Sequence, residues 1–194
     1  MAHPPTNYRN NHEAPVFVHL GCGDKFIPGF VHVDIAPAAH IDIVGSVESL
    51  PYFTDESVDL IYASHVLEHF SRTQYIAVLA EWYRVLKPHG VLRLAVPNFE
   101  SCVKQYLATG RIDGENGILG LICGGQRNEY DYHRMIFDRT LLEHSLRGVG
   151  FRECRLWNWK STEHSAIDDY SQAHLPHMEK TTGMLMSLNI EAVK

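Results

Sequence analysis

From Val16 onward the chain alternates short runs of branched and aliphatic residues with stretches in which apolar positions recur at helical spacing. The runs VFVHL (16–20), FVHVD (30–34), IDIV (41–44), VDLIY (58–62) and VLRLAV (91–96) end in turn-forming residues and predict five strands. SRTQYIAVLAEWYRVLKPHG (71–90) predicts the longest helix: Ser71 and Gln74 match an S-x-x-Q capping box, and Pro88 with Gly90 closes it. Asn98 is placed to cap a second helix running through Leu107 and stopped by Gly110, and Asp138 to cap a third, RTLLEHSLRG, stopped at Gly148. Strands alternating with helices predict an α/β fold, a parallel sheet flanked by helices.

After Gly150 the order reverses. FRECRLWNW (151–159) and MSLNIEAVK (186–194) both read as strands, with no long helix in the polar stretch between them. Two successive strands predict a C-terminal antiparallel hairpin appended to the parallel sheet.

Composition narrows the possibilities. A chain of 194 residues, 45% hydrophobic and 21% charged, is long and apolar enough for one buried core, expected over 16–194. The opening MAHPPTNYRNNHEAP (1–15) is polar and predicts a flexible arm rather than a signal peptide, and no later run is apolar enough to span a bilayer. A net charge of -6 without any Lys/Arg run argues against nucleic acid as a partner. Cys22, Cys102, Cys123 and Cys154 are widely spaced with no C-x-x-C, which predicts reduced thiols in a cytoplasmic protein.

Candidate chemistry gathers at the ends of the strand runs. Gly21 and Gly23 follow the first, where the absence of Cβ lets a turn pass close to a ligand. A nicotinamide fingerprint would need a third glycine where Phe26 stands, and no G-K-S/T triplet follows the glycines to make a phosphate-binding Walker loop. Asp34 ends the second run, where a carboxylate can accept hydrogen bonds from both hydroxyls of a ribose or simply brace a loop. After the third run, Ser46 and Val47 are placed to flank an adenine. The stretch HVLEH (65–69) matches H-x-x-E-H, a zinc-hydrolase pattern whose histidines and glutamate share one continuous helix. Here the pattern starts directly after a strand and Ser71 opens a fresh helix beyond it, so no metal is expected.

In order along the chain, HLGCG, VHVD, VGSVESLPY, VDLIYASHVLEHF and RVLKPHGVLRLAVPN resemble the motifs of the class I S-adenosylmethionine-dependent methyltransferases, over about residues 16–98. The resemblance implies a Rossmann-like, doubly wound, mostly parallel seven-stranded sheet. It implies S-adenosylmethionine as cofactor and S-adenosylhomocysteine as product. Gly21, Cys22 and Gly23 would approach the methionine moiety through backbone, Asp34 would hold the ribose, Ser46 and Val47 would border the adenine, Ser64 and His65 would face the sulfonium, and Ile35 would be a further cofactor contact. Cys22 is then a space-filler between glycines. Three features depart from the family pattern: Ser46 replaces the usual aspartate, only residues 24–29 separate Gly23 from the second strand so that the usual first helix must be truncated, and a polar insertion fills 160–185. The insertion reads as a solvated lid or a dimer contact.

Within that class, GCG (21–23), PGFVHVD (28–34), GGQ (124–126) and HRMIFD (133–138) are similar to small predicted methyltransferases associated with polysaccharide or sugar metabolism. This implies a small polar acceptor, a sugar or sugar conjugate, methylated on oxygen or nitrogen. Gln126, Asp131 and Arg134 are candidates for holding it. His65 and His133 are candidates for the general base, because imidazole titrates near working pH. The alternatives are a non-catalytic protein that binds S-adenosylmethionine and a zinc hydrolase built on HVLEH.

Overall fold

The computed structural model describes residues 14–114 and 116–194. The expected arm at 1–15 lies outside them apart from its last two positions. Strands β1 (Phe17–Leu20), β2 (Phe30–Asp34), β3 (Ile43–Val44), β4 (Val58–Ser64) and β5 (Leu86–Pro97) run parallel in the order β3-β2-β1-β4-β5. Beyond them come β6 (Glu153–Leu156), a separate pair β7 (His174–Leu175) and β8 (Met184–Leu185), and β9 (Ser187–Val193). β9 lies between β5 and β6, antiparallel to both, and closes the seven-stranded sheet as the C-terminal hairpin pattern predicts. FRECRLWNW keeps only its middle as a strand, because the chain leaves the sheet at Trp157.

Among the described residues four α-helices pack on or beside the sheet: α1 (Tyr75–Val85), α2 (Phe99–Thr109), α3 (Leu119–Cys123) and α4 (Arg139–Val149). The buried positions of α1, Tyr75, Val78, Leu79, Trp82 and Val85, follow the helical repeat and meet Leu142 and Leu146 of α4 over the apolar face of the sheet. Each such side chain contributes roughly 1.5 to 3 kcal/mol of burial. Asn98 and Asp138 cap α2 and α4 as expected, accepting from Glu100 N and Leu141 N.

Two predicted helix ends are corrected. α1 stops at Val85, not at Pro88, since Pro88 forces Lys87 out of the helical region and the strand conformation is already taken up at Leu86. Residues 87–90 instead form an irregularity at the start of β5, where the register on β4 jumps from Leu86 to Val91. α4 runs through Gly148 and ends at Gly150, because a glycine in open space costs a helix only about 1 kcal/mol.

The strand order changes direction between β1 and β4. Right-handed crossovers therefore place α1 on one face and any helix of the β1–β2 or β2–β3 connection on the other. Residues 21–29 and 35–42 contain no helix, in line with the short spacing. The second face is polar, with His19, His32, Tyr62, Asn189 and Glu191 all buried, and residues 157–173 cover it instead. The Tyr62 hydroxyl and Ser171 both donate to Asp169, Asn189 Nδ2 donates to the Ser171 carbonyl (2.9 Å), and Trp157 Nε1 to that of Leu94 (2.9 Å). The expectation of a solvated lid at 160–185 is thus overturned for this part of it: His164 and Gln172 are each 2% exposed. All four cysteines are free thiols, and no helix among the described residues is long and apolar enough to cross a membrane.

Candidate active site

At the carboxyl ends of β1, β2 and β4, where the strand order reverses, lies a hollow of about 380 Å³. Six of the nine expected cofactor residues line it: Gly21, Asp34, Ile35, Ser46, Val47 and His65. Gly21 has φ +60°, and a Cβ there would fall 2.5 Å from Val66 Cγ2, so only glycine lets the first turn meet the loop after β4. The Asp34 carboxylate braces the turns on both sides, accepting from Gly23 N (2.8 Å) and Ala36 N (2.9 Å). A carboxylate offers about four acceptor positions, so two remain for a ligand.

The other three expected residues stand back. Gly23 acts through its bond to Asp34. Cys22 is buried, its thiol pushed up to about 12 by burial and by the Asp34 charge, which suits a space-filler. The Ser64 hydroxyl is buried without a hydrogen-bond partner and does not line this hollow.

Ser46 turns back into its own loop, where its Oγ accepts from Glu48 N (3.2 Å). Glu48 itself lines the hollow and is steadied by Gln74 Nε2 (3.3 Å). α1 carries this loop: Trp82 Nε1 donates to the Val47 carbonyl (2.9 Å), and Glu81 accepts from Leu50 N (2.7 Å) while pairing with Arg84 (2.7 Å).

His65 leaves β4 with φ +53°, and Leu67–His69 make a single 3-10 turn. The continuous helix that H-x-x-E-H requires is not formed, so the hydrolase geometry fails. Glu68 is fully buried, and its carbonyl accepts from Arg134 N (2.7 Å) and Met135 N (3.0 Å), which draws the 133–135 segment against the turn. His65 Nδ1 lies 3.4 Å and His133 Nε2 3.8 Å from Glu68 Oε1. Burial raises Glu68 to about 8 and lowers His65 to about 3, with the His133 and His69 charges adding to the latter. Burial also lowers His69 and His133.

A second hollow of about 330 Å³ adjoins the first across His65 and His69, which line both. The extended segment between them deals its side chains alternately: Tyr130, Tyr132 and Arg134 face the first hollow, Asp131 and His133 the second. Arg134, expected to hold an acceptor, thus faces the hollow built on the glycine turn and Asp34. Asp131 is held below the usual carboxylate range by Arg127, 2.6 Å away. Gln126 lines neither hollow, and its side chain turns back to the Cys123 carbonyl (3.4 Å). Glu48, Tyr130 and Tyr132 were not singled out by sequence, and His69 was read only as part of the H-x-x-E-H pattern. An alternating aromatic and charged run after GGQ was the one local signal for the tyrosines.

The sheet order, with a glycine turn and a strand-end acid at its point of reversal, defines a Rossmann-like methyltransferase fold. Residues 29–94 carry the match to a family model described as a methyltransferase domain. Comparison with curated proteins finds no match. Among solved structures, an S-adenosylmethionine-dependent methyltransferase of Thermotoga maritima, a possible histamine N-methyltransferase, aligns over 94% of this chain and 83% of its own at 18% identity, TM-score 0.56. One from Archaeoglobus fulgidus aligns over 93% and 86% at 17% identity, TM-score 0.57. The 1,6-didemethyltoxoflavin-N1-methyltransferase of Burkholderia thailandensis, with bound 1,6-didemethyltoxoflavin and S-adenosylhomocysteine, aligns over 93% and 71% at 16% identity, TM-score 0.55. At these identities the likeness is one of fold.

Proposed function

We propose that this chain is an S-adenosylmethionine-dependent methyltransferase that methylates oxygen or nitrogen on a small polar acceptor, a sugar or sugar conjugate, and releases S-adenosylhomocysteine. The observation that carries the reading is the pair of adjoining hollows, one of them built on the glycine turn and Asp34. Both fall within the size range of small-molecule sites, about 300 to 1,000 Å³. The free acceptor positions of Asp34 take the ribose hydroxyls. Glu48 supplies near the adenine the carboxylate that Ser46 lacks, and Tyr130 and Tyr132 close over the cofactor.

Methyl transfer from a sulfonium is an in-line displacement whose methyl group is already activated. The protein contributes alignment and exclusion of water, and a base where the acceptor must lose a proton. His65 and His133 border the acceptor hollow and are neutral near physiological pH, free to take a proton although burial weakens them as bases.

Calorimetry with S-adenosylmethionine, S-adenosylhomocysteine and NAD tests the reading. Both S-adenosyl compounds should bind and NAD should not. Asp34→Ala should weaken the binding by about 1 to 3 kcal/mol, the cost of leaving hydrogen-bonding groups unpaired. Folded protein that binds neither S-adenosyl compound would sink the reading. Turnover of labelled cofactor against sugars bearing hydroxyl or amino groups then identifies the acceptor.

A further inference from the structure

We propose that Glu68, His69 and His133 form a binding site for a divalent first-row transition-metal ion, of the manganese, iron, cobalt and zinc group, in the wall between the two hollows. One ligand atom from each residue lies within 4.8 Å of the others, close enough to share a single ion. Glu68 is 0% exposed and neither carboxylate oxygen has a hydrogen-bond partner, an arrangement that costs several kcal/mol unless a cation or proton answers it.

The histidines are held as metal ligands are held. His133 Nδ1 lies 2.9 Å from the Leu121 carbonyl and His69 Nδ1 lies 3.1 Å from that of Tyr132. A carbonyl only accepts, so Nδ1 carries the proton in both rings and Nε2 is left with its lone pair. A backbone carbonyl that fixes the tautomer from behind is the usual support of a ligating imidazole. The His133 Nε2 so exposed is the atom 3.8 Å from Glu68 Oε1.

Two imidazoles and one carboxylate favour the borderline ions over magnesium or calcium, which prefer oxygen throughout. Three protein ligands leave further positions for water or substrate. His69 and His133 both line the second hollow, so those positions open onto it. The consequence for catalysis rests on the methyltransferase reading: an ion held here would face an acceptor in the second hollow and would make a bound acceptor oxygen more acidic. The expectation of a metal-free site came from the context of H-x-x-E-H, a strand directly before it and a fresh helix cap at Ser71 after it, which rules out one continuous metal-binding helix. With an ion bound, Glu68 would be a ligand rather than a base, and His133 from a distant segment would take the place of His65.

The test is calorimetric titration of chelator-treated protein with manganese and zinc chlorides, together with the absorption spectrum of the cobalt form. We expect one ion per chain, and at least about 100-fold weaker binding in both Glu68→Gln and His133→Gln, with the far-ultraviolet circular dichroism of each variant unchanged. Asp24→Asn, at an exposed position away from the cluster, should bind as the parent does. Folded parent protein that binds no ion overturns the proposal, as does binding that survives in either variant. S-adenosylhomocysteine is titrated in parallel. Protein that binds the nucleoside and no cation overturns the metal site alone, and protein that binds the cation and no nucleoside overturns the methyltransferase reading alone.

Discussion

Gly21 shows how one position ties the sequence to the site. Its left-handed backbone and its approach to Val66 each exclude a side chain, so Gly21→Ala should destabilise the fold by roughly 2 to 4 kcal/mol and weaken S-adenosylhomocysteine binding. Adding Val66→Ala removes the collision and leaves the backbone strain, so the double variant should recover part of the stability, measured by urea unfolding. Residues of this kind, with Asp34, were legible in the sequence because their roles follow from position at a strand end. Glu48 was not, since its partner Gln74 lies on another segment, and His69 was visible only within the H-x-x-E-H pattern, its partners, the Tyr132 carbonyl and His133, lying on a distant segment.

Among the elements, α1 does two things at once. Its apolar stripe buries the first face of the sheet, and its Trp82, Glu81 and Arg84 hold the loop that borders the first hollow. Trp82→Phe keeps most of the packing but leaves the buried Val47 carbonyl without its donor. We predict a loss of about 1 to 3 kcal/mol in unfolding free energy and weaker binding of adenosine compounds, read by urea unfolding and calorimetry. The stripe of α1 was visible as periodicity. Its end was not, because Pro88 acts on the residue before it and β5 claims the chain from Leu86. The cover at 157–173 escaped notice for a different reason. Its polar residues look solvated until Tyr62 and Asn189, far away in sequence, supply the partners that let them be buried.

At the scale of the whole molecule, the polar second face makes stability depend on pH. Burial, helped by the charges of His32, His164 and His40, lowers His19 to about 3. Between that value and the ordinary histidine range, His19 takes up a proton when the chain is unfolded and stays neutral when it is folded. Its contribution to stability is therefore complete above the unfolded value and lost as pH falls through the window below it. From about pH 6.5 to about pH 5 the parent should lose roughly 1 to 2 kcal/mol on this account. His19→Leu should show a correspondingly shallower fall in a series of urea unfolding curves over that range.

The place of β9 sets an order of events in folding. β6 precedes it in sequence but reaches the sheet only through it, since β9 lies between β5 and β6. The first five strands can pair as the chain lengthens, while β6 has nothing to pair with until residues 187–193 have docked on β5. In a pulse-labelling experiment, amides of β6 should become protected no earlier than those of β9. A lesion confined to β9 would release both strands, so the single antiparallel element acts as the latch of the sheet.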